Sequence, residues 1–546
     1  ISNVFQGSFL MQSLSFLDFA VIAAYLIGTL GLGLYIGSKI KTGSDYFLAG
    51  RKLPWWAIGM SLVATDIGAV DIVGTGGAAH QHGLAVANFE WIGCVPAMII
   101  AAFVFIPFFW RSGVTTIPEY MERRFNVAVR SALAICWIIF MACNLGIMLL
   151  ASAKMMHVHL GMTVNACIYL TAFLVGIYTI SGGLAAVVYT DMIQCVIMIG
   201  GCLLVLVLGI IDLGGIDNFQ AEIKKQEQIQ SEKQAAVVEK QEAKAAPAAG
   251  VLDVSHTSLI LPADADTPFP WTGIFFGLAL ILSPAYWIGN QAIVQRSLGA
   301  KSEFDAKAAY VWGALLKNLV PVVVAVPGLI AFVKFPELTD GDQAFPELIS
   351  LLLPTGLKGL FLAAFLAALM SSIDSYLNSA STIVTNDFYK RFFRRDASDE
   401  SLLSIGRVVT FLLVLWAIGF SFFLMTRSEG IYTIFQTLMA FFQGPAFAIL
   451  LTGLLWKRAT GIAAFIGFIV GVCFSITLFA LNQADVYTAL GMEPLFQISE
   501  PFLYFSIWAF VVSFSLIVII SLLTKREPNE KIEGLVFSLK PRKETA

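Results

Sequence analysis

The chain has 546 residues, 58% of them apolar and 13% charged, with a mean hydropathy of +0.80. A soluble protein carries about twice that share of charged side chains because its surface must be wetted. This composition therefore excludes a water-soluble globule and points to an all-α polytopic membrane protein whose first partner is the lipid bilayer. The net charge of −3, from 34 basic and 37 acidic residues without a basic stripe, excludes a nucleic-acid partner.

About thirteen spans of membrane-crossing length are expected, near 17–38, 54–79, 84–110, 130–153, 164–181, 184–213, 270–291, 307–333, 356–385, 402–424, 431–455, 459–482 and 499–523. Residues 1–15 lack the basic start and cleavage site of a signal peptide, and the first apolar stretch is long enough to span. One set of alternate loops is basic: Lys39, Lys41, Arg51 and Lys52, then Arg111, Arg123, Arg124 and Arg130, then Arg296, Lys301 and Lys307, with more after residues 389 and 456. The short loops of the other set hold Lys154, Lys334 and Arg427. The positive-inside rule then expects a multi-pass protein of the cell membrane with its N-terminus outside and its C-terminus in the cytoplasm, which an odd span count satisfies.

The spans suggest six regions: 1–53 (an extra helix and a loop), 54–213 (five spans), 214–269 (a polar exterior insertion), 270–455 (five spans), 456–523 (two peripheral spans) and 524–546 (a cytoplasmic tail). The insertion is rich in Ala, Glu, Gln and Lys and predicts a solvated helix as far as Pro247. Each set of five opens with a span that cannot be a simple helix. The second span carries Gly68, Gly74, Gly76 and Gly77, and the seventh carries Ser283, Pro284 and Gly289. Matched breaks at corresponding positions of two halves mark an inverted-repeat transporter, because unwound backbone inside a bilayer must line a cavity or hold a ligand.

Ionisable residues inside the spans carry the strongest signal: Asp66, Asp71, Glu90, Asp191, Lys317 and Asp374. Each costs at least about 2.5 kcal/mol to insert, and Lys317 neutralises only one of the five acids. Asp18, Asp212, Lys358 and Arg407 lie near span ends, where they reach the interface. The excess of acid inside the membrane predicts cation binding there. On one helix face, Ala368, Ser371, Ser372 and Ser375 recur at three- and four-residue spacing, and packed against the unwound stretch at Ala64–Ile67 they would supply hydroxyls and a carbonyl to a sodium ion. Tight helix packing also uses such small faces. The seven cysteines show no metal-ligand spacing and are expected to pack as small hydrophobes, and His80 and His82 to be exposed at a span end. No GxxxxGK[ST], HExxH, GxSxG or CxxC motif is present, so no enzyme is expected.

The strings SDYFLAGRKLPWWAIGMSLVATDIG, GLAVANFEW, TIPEYMERRF, GGLAAVVYTDMIQ, QAIVQRSLGAKS and ALMSSIDSYLNSAST closely resemble the sodium:solute symporters, best the sodium/glucose and sodium/galactose branch, from about residue 17 to 525. The resemblance implies a LeuT-type fold with a 5+5 inverted repeat and sodium-driven alternating access. It places sodium on the carbonyls of Ala64, Ile67 and Ala368 and the hydroxyls of Ser371 and Ser372, and links Asp191 to cation coupling. Glu90, Lys317 and Gln436 match residues that bond sugar hydroxyls, and Tyr286 matches an aromatic that stacks on the sugar ring. Three positions depart from the branch. Asp66 stands for Asn, Asp71 for Gln or His, and Ser283 for Thr or Asn, while Asp374 beside the sodium serines suggests, with Asp191, a second cation site. The expected function is import of a sugar or polyol with sodium. The rivals are a non-sugar cargo (inositol, an amino acid or a cationic osmolyte, which Asp66 would favour) and a sodium-dependent sensor. Oligomeric state is left open.

Overall fold

The computed structural model describes residues 14–242, 255–263, 267, 269–339, 341–425, 431–492, 496 and 501–537. Span α1 is Phe16–Gly37. The next span is broken into α2a (Trp55–Asp66) and α2b (Ala69–His82), joined by extended backbone at Ile67 (φ −94°, ψ 92°) and Gly68 (φ −81°, ψ 172°), and the chain bends there by 59°. Spans α3 (Phe89–Ser112) and α4 (Val127–Leu160) follow. The 49-residue helix Val164–Asp212 would be about 74 Å long if straight, over twice a bilayer core of about 30 Å. Gly183, at φ 52° and ψ −150°, interrupts it, leaving α5 (164–182) and α6 (184–212). A Cβ there would lie 2.3 Å from the Tyr46 carbonyl oxygen, so only glycine fits this corner.

The second broken span is α7a (Gly273–Gly289) and α7b (Gln291–Leu298), bent by 51°. Spans α8 (Glu303–Lys334), α9 (Leu357–Phe393), α10 (Asp399–Leu424), α11 (Ile431–Leu455), α12 (Gly461–Leu481) and α13 (Pro501–Leu523) complete the membrane part. Among the described residues, ten helices are long and apolar enough to cross a membrane and the two bent pairs make twelve. Counting α5 and α6 separately reaches the thirteen expected.

Burial orders the spans. The most apolar stretch of α9 is 94% buried, against 22% for α1 and 28% for α10 and α13. Span α9 is therefore the axis, with α2a, α4, α5, α6 and α7b packed on it. Span α8 loosens in mid-course after Lys317. The cause is Pro321, whose ring displaces the carbonyl four residues earlier, that of Lys317 itself.

Outside the spans, the predicted polar helix forms over Ile216–Glu242. The insertion then returns to the spans: Leu84 N–H donates to the His256 carbonyl at 2.7 Å, and the Asn88 side chain donates to the Leu259 carbonyl. The tail does not simply trail away. Phe537 N–H donates to Leu454 O at 2.7 Å, and Tyr120 Oη donates to Leu535 O at 2.5 Å.

The structure corrects several expectations about charge. Arg124, Arg130 and Arg296, counted above with the loop cations, are all buried. Arg124 donates to the carbonyls of Gly453, Trp456 and Ala459, and Arg130 bridges Glu122 (2.5 Å) and Asp387 (2.7 Å). Asp18, in the first turn of α1, is buried and accepts from Gly356 and Gly359 N–H at 2.8 and 2.7 Å. His80 is not exposed: it is buried on α2b against Phe332. The cysteines of the spans are unpaired.

Candidate functional site

The break in α2 brings two polar clusters together. Ile67 and Gly68 lie between two carboxylates: Asp66 ends α2a, and Asp71 accepts from Gly68 N–H at 2.8 Å, capping α2b. On one side of the break lies Lys317, fully buried at the loosened middle of α8. Its ammonium contacts Asp66 Oδ2 and lies 2.5 Å from Glu90 Oε2. Glu90 begins α3 in a wide π-helical turn, Phe89–Cys94, of the kind that often re-aims a side chain at a functional site. Lys317 thus serves two acids rather than the one allotted to it from sequence. Asp66, Glu90 and Cys94 place one ligand atom each within 4.8 Å of one another, but the cation seated among them is the lysine's own.

Aromatic rings and small polar groups wall this cluster. The Lys317 ammonium lies 6.0 Å from the Trp287 ring centroid, and Tyr286 packs edge-on to Trp287 at 5.7 Å. Tyr286 shares its surroundings with Tyr376, Asp66 and Asp71. Ser283 is buried on α7a opposite Gly93, where any Cβ would stand 3.1 Å from the serine hydroxyl. Gln436 lies on α11, but its side chain falls outside the described residues.

On the other side of the break, α9 presents its serines to α2a. Ser371 Oγ donates to Ala64 O at 2.7 Å and Ala368 O at 3.0 Å, and Ser372 Oγ donates to Thr65 O at 3.1 Å and Ala368 O at 3.2 Å. Ile67, two residues after Thr65, is extended and buried. These uncharged oxygens of two helices, close enough to bond one another, form a donor set that suits a hard monovalent cation.

One turn further along α9, Asp191, Asp374 and Ser375 join a network whose arginine the sequence reading missed. The Arg296 guanidinium, on α7b, pairs with Asp191 at 3.0 Å, donates through Nε to Ser61 Oγ at 2.6 Å, and also reaches Thr65 and Ser375. Asp191 accepts in addition from Ser61 Oγ at 2.6 Å and from Thr65 at 3.3 Å. Asp374 stands beside this pair and accepts from Tyr178 Oη at 2.6 Å and Ser375 Oγ at 3.1 Å. Asp191 and Asp374 are thus neighbours, but a protein cation already holds the first. The signal was available in α7b: a bent span is buried on both sides of its bend, so Arg296 belongs to the interior.

The family model described as "Sodium:solute symporter family" matches residues 46–471. A sodium/glucose cotransporter of Vibrio parahaemolyticus is 32% identical over 508 residues, covering 88% of this chain and 87% of its own. A sodium/myo-inositol cotransporter 2 of Oryctolagus cuniculus is 31% identical over 552 residues, covering 95% and 78%. Among solved structures, a substrate-bound, outward-open Na+-coupled sialic acid symporter superposes with a TM-score of 0.75 at 22% identity, covering 94% of this chain and 99% of that one. The fold expected from the resemblance, LeuT-type and all-helical, is therefore the fold of this chain.

Proposed function

This chain belongs to the sodium:solute symporter family, a sodium-coupled membrane transporter and not an enzyme, and from that premise we propose that it carries a sugar or polyol into the cytoplasm by alternating access. The observation that carries the cargo reading is Lys317 held between Glu90 and Asp66 beside Tyr286 and Trp287. Charged donors and acceptors fixed next to aromatic faces suit a neutral molecule rich in hydroxyls. The extra acid at Asp66 supports this reading rather than a cationic osmolyte, because Lys317 already meets it. Asp71, Ser283 and Gln436 complete the proposed substrate site. The relatives named for glucose and for myo-inositol both fall within this cargo class.

Sodium, the co-transported substrate, binds in this reading to the carbonyls of Ala64, Ile67 and Ala368 and the hydroxyls of Ser371 and Ser372. The hydroxyls donate to carbonyls of α2a and α9, which holds these oxygens together. The ion would draw α2a and α9 together and order the break that carries Asp66, so occupancy of either site raises affinity at the other, reciprocally. We assign residues 54–213 and 270–455 to two inverted repeats, each opened by a broken span, and place the C-terminus in the cytoplasm of a cell whose membrane holds the protein.

The deciding experiment is uptake of labelled glucose, galactose and myo-inositol into proteoliposomes, with an inward sodium gradient or with choline in its place. Sodium-dependent uptake of at least one, lost in Glu90→Ala, supports the reading. Sodium binding without net uptake of any cargo would make the protein a sensor.

A further inference from the structure

The polar side chains of α7b divide by what they touch. Arg296 serves the charged network around Asp191. Gln291 and Gln295, one turn apart and both fully buried, bond neutral groups. Gln291 Oε1 accepts from Ile117 N–H at 3.0 Å and its Nε2 donates to Thr115 O at 3.0 Å, so one amide closes on two backbone groups. Its Nε2 also donates to Gln295 Oε1 at 3.3 Å, and Gln295 Nε2 donates to Phe47 O at 2.7 Å and Thr382 Oγ1 at 2.8 Å. Ile117 opens the short helix Ile117–Arg124, whose first N–H groups find no partner inside the helix. Charge fixes that helix on its other side: Thr116 Oγ1 donates to Asp387 at 2.8 Å, and Glu122 pairs with Arg130 at 2.5 Å and Arg391 at 2.6 Å. The helix is thus tied to α4 and α9 through ions and to α7b through two neutral bonds. Span α7b in turn hangs from α7a by one extended residue, Asn290 (φ −70°, ψ 117°).

Resting on the reading of the chain as an alternating-access symporter, we propose that Gln291, supported by Gln295, is the latch on the route from the solute cluster to the face that bears the basic loops. In this structure the latch is shut. Thr116, Ile117, Gln291, Gln295 and Thr382 are each sealed from solvent, while the side chains of Asp66 and Glu90 stay 12% and 18% exposed. When α7b swings about Asn290, the Gln291 amide exchanges the Thr115 and Ile117 groups for water and the route opens. Glutamine suits the task because one amide donates and accepts together, so it returns to both backbone groups on closing. An ion pair in its place would strand a buried charge in every cycle. The bonds of Gln291 reach neither the solute cluster nor the sodium serines, so it is a positioning residue that acts through α7b.

The test uses the full-length protein in membrane vesicles, with Cys94 as reporter because its thiol lies beside Asp66 and Glu90 in the solute cluster. A membrane-impermeant thiol reagent is applied to inside-out or right-side-out vesicles, and labelling of Cys94→Ser is subtracted as background. Gln291→Met removes both bonds at nearly constant volume. It should raise the labelling rate from the face of the basic loops at least about fivefold, the effect of two lost hydrogen bonds on the closed state, and lower the rate from the opposite face. Gln295→Met should shift both rates in the same directions, which keeps the test decisive should Gln291→Met not fold. Ser381→Ala deletes a buried bond from α9 to the Gly406 carbonyl on α10 and controls for lost stability alone, so its rates should match the wild type. Unchanged rates in both glutamine variants overturn the proposal, as does a rise from both faces together or an equal rise in Ser381→Ala. Sodium-driven uptake by the wild type is measured alongside: its absence would sink the symporter reading, whereas the two labelling rates judge the latch.

Discussion

Arg296 Nη2 lies 3.0 Å from Asp191 Oδ2 with both side chains sealed from solvent, and the pair joins α7b to α6 directly behind the serines of α9. Breaking such a pair from one side strands a buried charge, at a cost of about 3–5 kcal/mol. Arg296→Met should therefore lower the thermal unfolding midpoint sharply, while Arg296→Met with Asp191→Asn should recover most of the loss because neither charge remains. Arg296→Lys should not rescue. A lysine cannot reproduce the planar fork that serves Ser61, Thr65, Asp191 and Ser375 together. Unfolding curves of the four proteins check this, and equal stability of the single and double variants would refute it.

Ser371→Ala and Ser372→Ala each remove one hydroxyl from the oxygens between α2a and α9. The sodium concentration giving half-maximal uptake should rise at least about tenfold in each, which corresponds to about 1.4 kcal/mol. Solute affinity measured at saturating sodium should stay nearly unchanged. Uptake against sodium concentration in proteoliposomes at fixed membrane potential is the measurement.

Much of this was legible from residue types, and the reasons are physical. A bilayer has no water for loose backbone, so glycines and a proline inside two apolar stretches announced the breaks in α2 and α7. A charge inside a span needs a partner, so Glu90 and Lys317 could be singled out before their contact was seen. Arg296 escaped because it lies beyond the expected end of the span at 291, and only the bend at Asn290 turns α7b back inside. Arg124 escaped for a related reason. It lies among basic loop residues, yet its partners are carbonyls at the end of α11, more than 300 positions away.

Outside the membrane, the insertion rests on a histidine. The His256 ring stacks on Phe332 at 3.9 Å and 19°. This burial holds its pKa below the usual value near 6.5, and the Glu227 carboxylate 3.8 Å away offsets the effect only in part. The folded state thus prefers the neutral ring, so the segment's contribution is present above about pH 6.5 and is lost as pH falls through the lowered value. Backbone hydrogen exchange at 255–261, corrected for its intrinsic rate, should quicken between about pH 7.5 and pH 5. His256→Phe should flatten that change.

The corner at Gly183 gives a purely steric prediction. Gly183→Ala puts a Cβ against the Tyr46 carbonyl in a backbone region that side chains avoid, at a cost of at least about 1–3 kcal/mol. The unfolding midpoint should drop. A loss of uptake with no such drop would mean that the corner moves during transport rather than merely turning the chain.

In the Lys317 cluster the two acids are separated by a simple comparison. Asp66→Asn keeps an oxygen that accepts from Lys317 and leaves Glu90 paired, so sodium-driven sugar uptake should stay within about threefold of the wild type. Lys317→Met leaves both carboxylates without their cation and should reduce uptake more than about a hundredfold, of the order expected for about 3 kcal/mol. Lys317→Met with Asp66→Asn should remain inactive, because Glu90 is still unpaired. Thermal protection by sodium at the serines of α9 should survive in Asp66→Asn. Uptake and sodium protection measured on the three variants decide the matter: recovery of transport in the double variant would show that Lys317 neutralises Asp66 and does not hold the sugar.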